Sequence, residues 1–143
     1  MDHVAIMKKS WGLLPKVLSG EKKIESRWYL NKSVPWGKIA AGDKVYFKNS
    51  GEPVTVSSEV EKVRSYGDLT PDKVRELLME YGLDDGIKPS ELDSYYNLFK
   101  DKRYCLLVFL KDPQKTTPFN INKKGFGAMA SWICIDDVEK VKV

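Results

Sequence analysis

The spacing of apolar positions changes several times along the chain, and each change predicts an element. His3–Met7 is a short apolar run that reads as a first strand. Trp11–Ser19 then carries Leu13, Leu14, Val17 and Leu18 at the three- and four-residue intervals of one helical face. Gly20 stands where a left-handed cap would end that helix. From Lys23 to Tyr29 the period falls to two, with Glu25 and Arg27 on one face and Ile24, Ser26 and Trp28 on the other. Gly42-Asp43 makes a turn before the strand Lys44–Phe47. Asn49–Glu52 reads as the hairpin connection to a longer strand, in which Val54, Val56, Ser58 and Val60 alternate with Thr55, Ser57, Glu59 and Glu61.

The second half begins with helices. Thr70 suits an N-cap and Pro71 a first helical position, and Val74, Leu77, Leu78 and Tyr81 form the apolar stripe. Ser90 and Asp93 resemble a capping box for another helix, buried through Leu92, Tyr95, Tyr96 and Phe99. The segment between them, Tyr81–Lys88, reads as an exposed linker. Tyr104–Leu110 and Ser131–Ile135 are strong strands and Thr117–Ile121 a shorter one. Strands supply the core and helices interrupt them, an α+β pattern. With 143 residues, 42% of them apolar, the chain suits a single domain over 1–143.

Composition narrows the chemistry. No apolar run approaches a membrane span and the start is too short for a signal peptide, so a cytoplasmic protein with no membrane partner is expected. Cys105 and Cys134 sit in apolar strand runs, as buried free thiols would. His3 is the only histidine, expected at a frayed terminus, and no paired-cysteine spacing occurs. Zinc, other metals and cofactors are therefore not expected, nor is histidine acid–base chemistry. The net charge of +4 and pI near 8.9 favour a polyanionic partner. Lysines gather at 8–9, 22–23, 38, 44, 48 and 123–124 and acids between Asp68 and Asp93, which predicts one basic side. The excess of lysine over arginine, the single glutamine Gln114 and 31% charged residues are compatible with a thermophilic source.

The segment Gly20-Glu21-Lys22-Lys23-Ile24-Glu25-Ser26-Arg27 has the spacing G-x-K-x-x-E-x-R. The α-carbons of Glu25 and Arg27 lie roughly 6.6 Å apart on a strand. Lys22, in the turn, escapes the alternation and can lean over the same cleft, flanking one carboxylate with two cations. The plainer alternative is a surface ion pair of about 0–1 kcal/mol beside a solvated lysine.

This motif resembles that of the ASCH domain, a branch of the PUA-like superfamily. The likeness is clearest over Val4–Val60. It implies a PUA-like mixed β-barrel with short helices at its mouth, and a basic cleft that binds RNA or a modified nucleoside. In that setting Lys22 and Arg27 would bind a phosphate or polarise a carbonyl, and Glu25 would accept from an exocyclic amine or act as a general base. Trp36, in a polar loop, is a candidate to stack on an unpaired base. Lys48 and Asn49 are candidates for the same mouth. Lys123 and Lys124, before Gly125-Phe126-Gly127, would clamp a nucleic-acid backbone. No phosphate-loop sequence is present.

One ASCH branch is similar to amidohydrolases that release acetate from acetylated cytidine through a lysine, a threonine and a glutamate. Lys22 aligns with the lysine and Asp85 lies near the third residue, but the threonine position falls on Glu25, which offers no hydroxyl nucleophile. Hydrolysis, amidohydrolase-like or ribonuclease-like, therefore ranks behind binding. A protein-interaction role, as for ASCH domains in transcriptional coactivators, ranks third.

Overall fold

A computed structural model describes residues 1–143. The elements are β1 (Asp2–Met7), α1 (Leu14–Ser19), β2 (Ile24–Tyr29), β3 (Lys44–Asn49), β4 (Val54–Tyr66), α2 (Pro71–Tyr81), α3 (Leu92–Phe99), β5 (Tyr104–Phe119) and β6 (Trp132–Ile135). The strands form one mixed sheet in the order β2-β5-β4-β3-β1-β6, curled into a half-barrel. All neighbours are antiparallel except β1 and β3. The curl brings β2 towards β1 without pairing. Arg27 crosses this seam, donating to Met7 Sδ at 3.5 Å and to the Ser131 carbonyl at 3.3 Å.

Burial follows the predicted alternation. Ala5, Val45, Phe47, Val56, Leu106 and Val108 fill the concave side, and Leu14 and Val17 of α1 close one end. On the convex side Ile24, Cys105 and Leu107 pack against Leu77 of α2, and α3 joins a further cluster around Val74, Leu78 and Ile87. β4 and β5 run on to 13 and 16 residues. Register shifts at Val54/Val56, Ser57/Glu59 and Val60/Lys62 flip the faces, so strict alternation fades although pairing continues. The short strand expected at Thr117–Ile121 is the end of β5 as far as Phe119. Ile121 itself makes an isolated bridge to Lys142.

The helices start differently from the sequence pattern. α1 begins at Leu14 because Pro15 fits a first helical turn. Trp11 belongs instead to a separate 3₁₀ turn, Lys9–Trp11, closed by Gly12 at φ 61°. Gly20, at φ 81°, caps α1 as expected. Thr70 Oγ1 accepts from the Lys73 amide at 3.2 Å, the expected N-cap. Ahead of α3, at the 3₁₀ turn Pro89–Glu91, Glu91 Oε1 accepts from the Lys88 amide at 2.9 Å, whereas Ser90 and Asp93 make no capping box at α3.

His3 is not frayed. β1 is paired on both sides, and the imidazole is fully buried. Its Nε2 donates to Asp43 Oδ2 at 2.9 Å, while Nδ1 accepts from Trp132 Nε1 at 3.0 Å and lies 3.2 Å from Cys134 Sγ. Cys105 is buried and Cys134 half-buried; both are free thiols. Burial pushes the Cys134 thiol up to about 11 and lowers the His3 pKa, outweighing Asp43. His3 is thus a neutral imidazole in a structural network with Asp43, Trp132 and Cys134.

A depressed folded pKa means that the unfolded chain binds the proton first. The contribution of His3 is complete above its ordinary value of 6.5 and is lost as pH falls below it. Urea midpoints should therefore drop between pH 7.5 and 5.5, and His3→Gln should flatten that dependence. An identical slope in the two proteins would contradict a buried neutral imidazole.

Candidate functional site

The turn after Gly20 is fixed by backbone contacts before any side chain acts. The Lys22 amide donates to the Lys16 carbonyl at 2.9 Å, and the Lys23 and Ile24 amides donate to the Asp84 carbonyl at 2.6 and 2.9 Å. The Tyr81–Lys88 segment is therefore not an exposed linker. Asp85 and Ile87 are 6% and 4% exposed, and Gly86, at φ 82°, lies against Lys22. A Cβ there would meet the Lys22 side chain at 3.4 Å.

What holds the segment down is Lys22. Its ammonium donates to the Ile24 carbonyl at 2.6 Å, the Asp85 carbonyl at 2.7 Å and Asp85 Oδ1 at 2.5 Å, and lies 3.3 Å from Glu25 Oε1. Desolvation is the largest influence on Lys22, yet Asp85 and Glu25 outweigh it and raise its pKa. Losing the proton would leave two N–H groups to serve three buried acceptors. For the Asp85 carboxyl desolvation prevails over Lys22 and raises the pKa. Asp85 Oδ2 also accepts from Ser26 Oγ, which accepts from Trp28 Nε1 at 3.0 Å. Arg27 completes the cluster, donating to Glu25 Oε2 at 3.0 Å with its guanidinium 5.0 Å from the Trp132 ring centroid.

The geometry corrects two expectations. Lys22 is 2% exposed and committed to three acceptors, so it does not reach out to a phosphate. Nor is the cluster basic, because Lys22 and Arg27 are matched by Glu25 and Asp85.

A cleft of about 320 Å³ opens along the seam beside this cluster. Glu25, Arg27 and Tyr29 line it from β2, Met7 and Lys8 from the β1 side, and Trp11, Trp28 and Phe99 provide aromatic walls. It adjoins a recess of about 30 Å³ reaching Lys22 and Asp85, the two sharing Trp11, Glu25, Ser26 and Phe99. Trp28 has one face covered by Phe99, stacked at 4.8 Å and 8°. Trp11 meets Tyr95 edge-on at 5.8 Å, has the Lys8 ammonium 5.4 Å from its ring centroid and remains 39% exposed.

Other sequence candidates fall elsewhere. Trp36 packs against the main core and meets Tyr104 edge-on at 5.5 Å, and does not line the cleft. Asn49 donates to Glu52 Oε1 at 3.0 Å and borders a separate depression near Leu14 and Leu18. Lys48 is buried to 8% exposure. Lys123 folds back onto the Ala128 carbonyl at 2.7 Å, and Lys124 is exposed. Trp11, Ser26, Trp28 and Phe99 line the cleft without having been candidates in the sequence. The signal for Trp11 was Gly12, which separates the indole from the helix that follows.

No family model matches the sequence, and no curated protein does. Solved structures do match. The ASCH protein of Zymomonas mobilis has a TM-score of 0.67 at 18% identity, covering 97% of this chain and 90% of that one. A mutant of the same protein gives 0.67 at 16%, covering 97% and 93%. The N-terminal domain of Staphylothermus marinus McrB gives 0.50 at 13%, covering 82% and 75%. In its fold, this chain is similar to the ASCH protein of Zymomonas mobilis: an α+β half-barrel sheet with a few short helices.

Proposed function

We propose that the chain is a nucleic-acid-binding module that takes an unpaired base or modified nucleoside into the seam cleft. The observation that carries this reading is the pairing of a part-exposed aromatic ring, Trp11, with a fixed carboxylate, Glu25, in one cavity of about 320 Å³. A planar base stacks on any aromatic ring, and polar groups at its edge decide which base is kept. Lys22 and Arg27 hold Glu25 from two sides. Glu25 then presents acceptors to an exocyclic amine, with no charge left over to attract phosphates indiscriminately.

Glu25→Gln keeps the shape and removes the charge. It is expected to weaken cytidine or adenosine roughly tenfold, since a hydrogen bond to a charged group contributes about 1.5–3 kcal/mol, and to affect uridine less. Calorimetric titration of the three nucleosides checks this. Equal losses for all three would count against base selection by Glu25.

A second reading, hydrolysis of a modified nucleoside or RNA, is favoured by one contact. Ser26 supplies the hydroxyl absent at position 25, and it donates to Asp85, which is held by Lys22. In this reading Asp85 takes the proton from Ser26 as Oγ bonds to the acyl carbon, the C–N bond breaks with that proton passing to the departing amine, and water then hydrolyses the acyl-serine to acetate. Acetate release from acetylated cytidine, lost in Ser26→Ala, is the expected result. No release by the native protein would remove the reading.

A further inference from the structure

β1 and β3 run parallel and in register, from Asp2 opposite Lys44 to Met7 opposite Asn49. Both strands therefore leave the sheet at the same edge, which puts Lys8 and Lys9 beside Lys48 and the turn that follows it. Ile6, in register with Lys48, borders the seam cleft together with Lys8. The surplus positive charge missing from the motif cluster collects here.

The acid at this edge is already used. Glu52 accepts from Lys9 at 2.7 Å and from Asn49 Nδ2 at 3.0 Å. Lys8 lies 5.4 Å from the Trp11 ring centroid. Lys48 is only 8% exposed, yet no carboxylate or carbonyl accepts from its ammonium. Lys123 approaches from the loop before β6, and after burial its charge is the next influence that lowers the Lys48 pKa. A methionine would cover the same surface without desolvating a charge, so packing alone does not account for a lysine at this position.

We propose that Lys48, with Lys8 and Lys123, forms a phosphate subsite at the common end of β1 and β3, next to the seam cleft. It would hold a phosphate of the nucleotide or strand whose base enters the cleft. For the base it rests on the function proposed above, but for the anion it stands alone. A phosphate there would give Lys48 the acceptor it lacks and offset the repulsion from Lys123.

The test has two arms. In the first, lysine side-chain NMR signals are followed while inorganic phosphate is added at constant ionic strength. Saturable shifts are expected at Lys48, larger than at the exposed Lys100. A response at Lys48 no greater than at Lys100 would overturn the subsite. In the second arm, cytidine and cytidine 5′-monophosphate are compared. The nucleotide should bind about tenfold tighter, and the ratio should fall towards one in Lys48→Met and persist in Lys48→Arg. An unchanged ratio in Lys48→Met would overturn the subsite while leaving the base cleft standing. Should neither compound enter the cleft, the base reading fails and the inorganic phosphate arm alone decides.

Discussion

Lys22→Met should cost about 3–5 kcal/mol of folding stability, the usual penalty for removing one partner of a buried ion pair. Methionine fills much of the same volume, so the loss reports charge more than cavity. Asp85 would keep Ser26 as a partner and Glu25 would keep Arg27, but the cation between the two carboxylates would be gone. Two like charges facing each other in a dry site raise the carboxyl pKa further. The folded variant then binds more protons than its unfolded chain, so its deficit should shrink as pH falls below neutrality. Combining Lys22→Met with Asp85→Asn should cost less than the sum of the two changes, because the second removes the charge stranded by the first. Urea denaturation of the four proteins measures this coupling. A loss under about 1 kcal/mol for Lys22→Met would mean that the lysine is a solvated surface partner.

Trp11→Ala should weaken binding of single-stranded RNA or nucleoside by about 5- to 150-fold, from the 1–3 kcal/mol of one stacked base. Its effect on stability should be modest, since the indole is 39% exposed and lies in a single 3₁₀ turn. Trp36→Ala should do the opposite. That ring packs on the main core, so its loss lowers stability and leaves affinity nearly intact. Measuring unfolding and affinity on both variants separates a ligand platform from a packing residue. Weaker binding by Trp36→Ala, with none lost in Trp11→Ala, would return the site to the Trp36 loop, one of the candidates the sequence offered.

The sequence was legible where a local rule acts alone. The Gly20 cap, the Thr70-Pro71 helix start and the alternation in β2 are set by residues within a few positions of one another, and all three are present. The motif residues Lys22, Glu25 and Arg27 do meet in space, and Asp85 joins them. What local spacing cannot give is the sign of the electrostatics. Asp85 lies 63 positions from Lys22, and its arrival turns a free turn lysine into a buried counter-ion. The same limit explains Trp11 and Phe99, which share a wall only after α3 folds back over the seam. Lys48 reads as one more strand-end lysine until the parallel pairing of β1 and β3 places it beside Lys8.

The central claim is that a base enters the seam between β2 and β1. The most direct measurement is the NMR spectrum of the four indole N–H groups during titration with a short single-stranded RNA. Entry into the seam predicts saturable shifts at Trp11 and Trp28, with Trp36 unmoved. Shifts confined to Trp36, or no saturable change at Trp11 and Trp28 while RNA is bound, would contradict it.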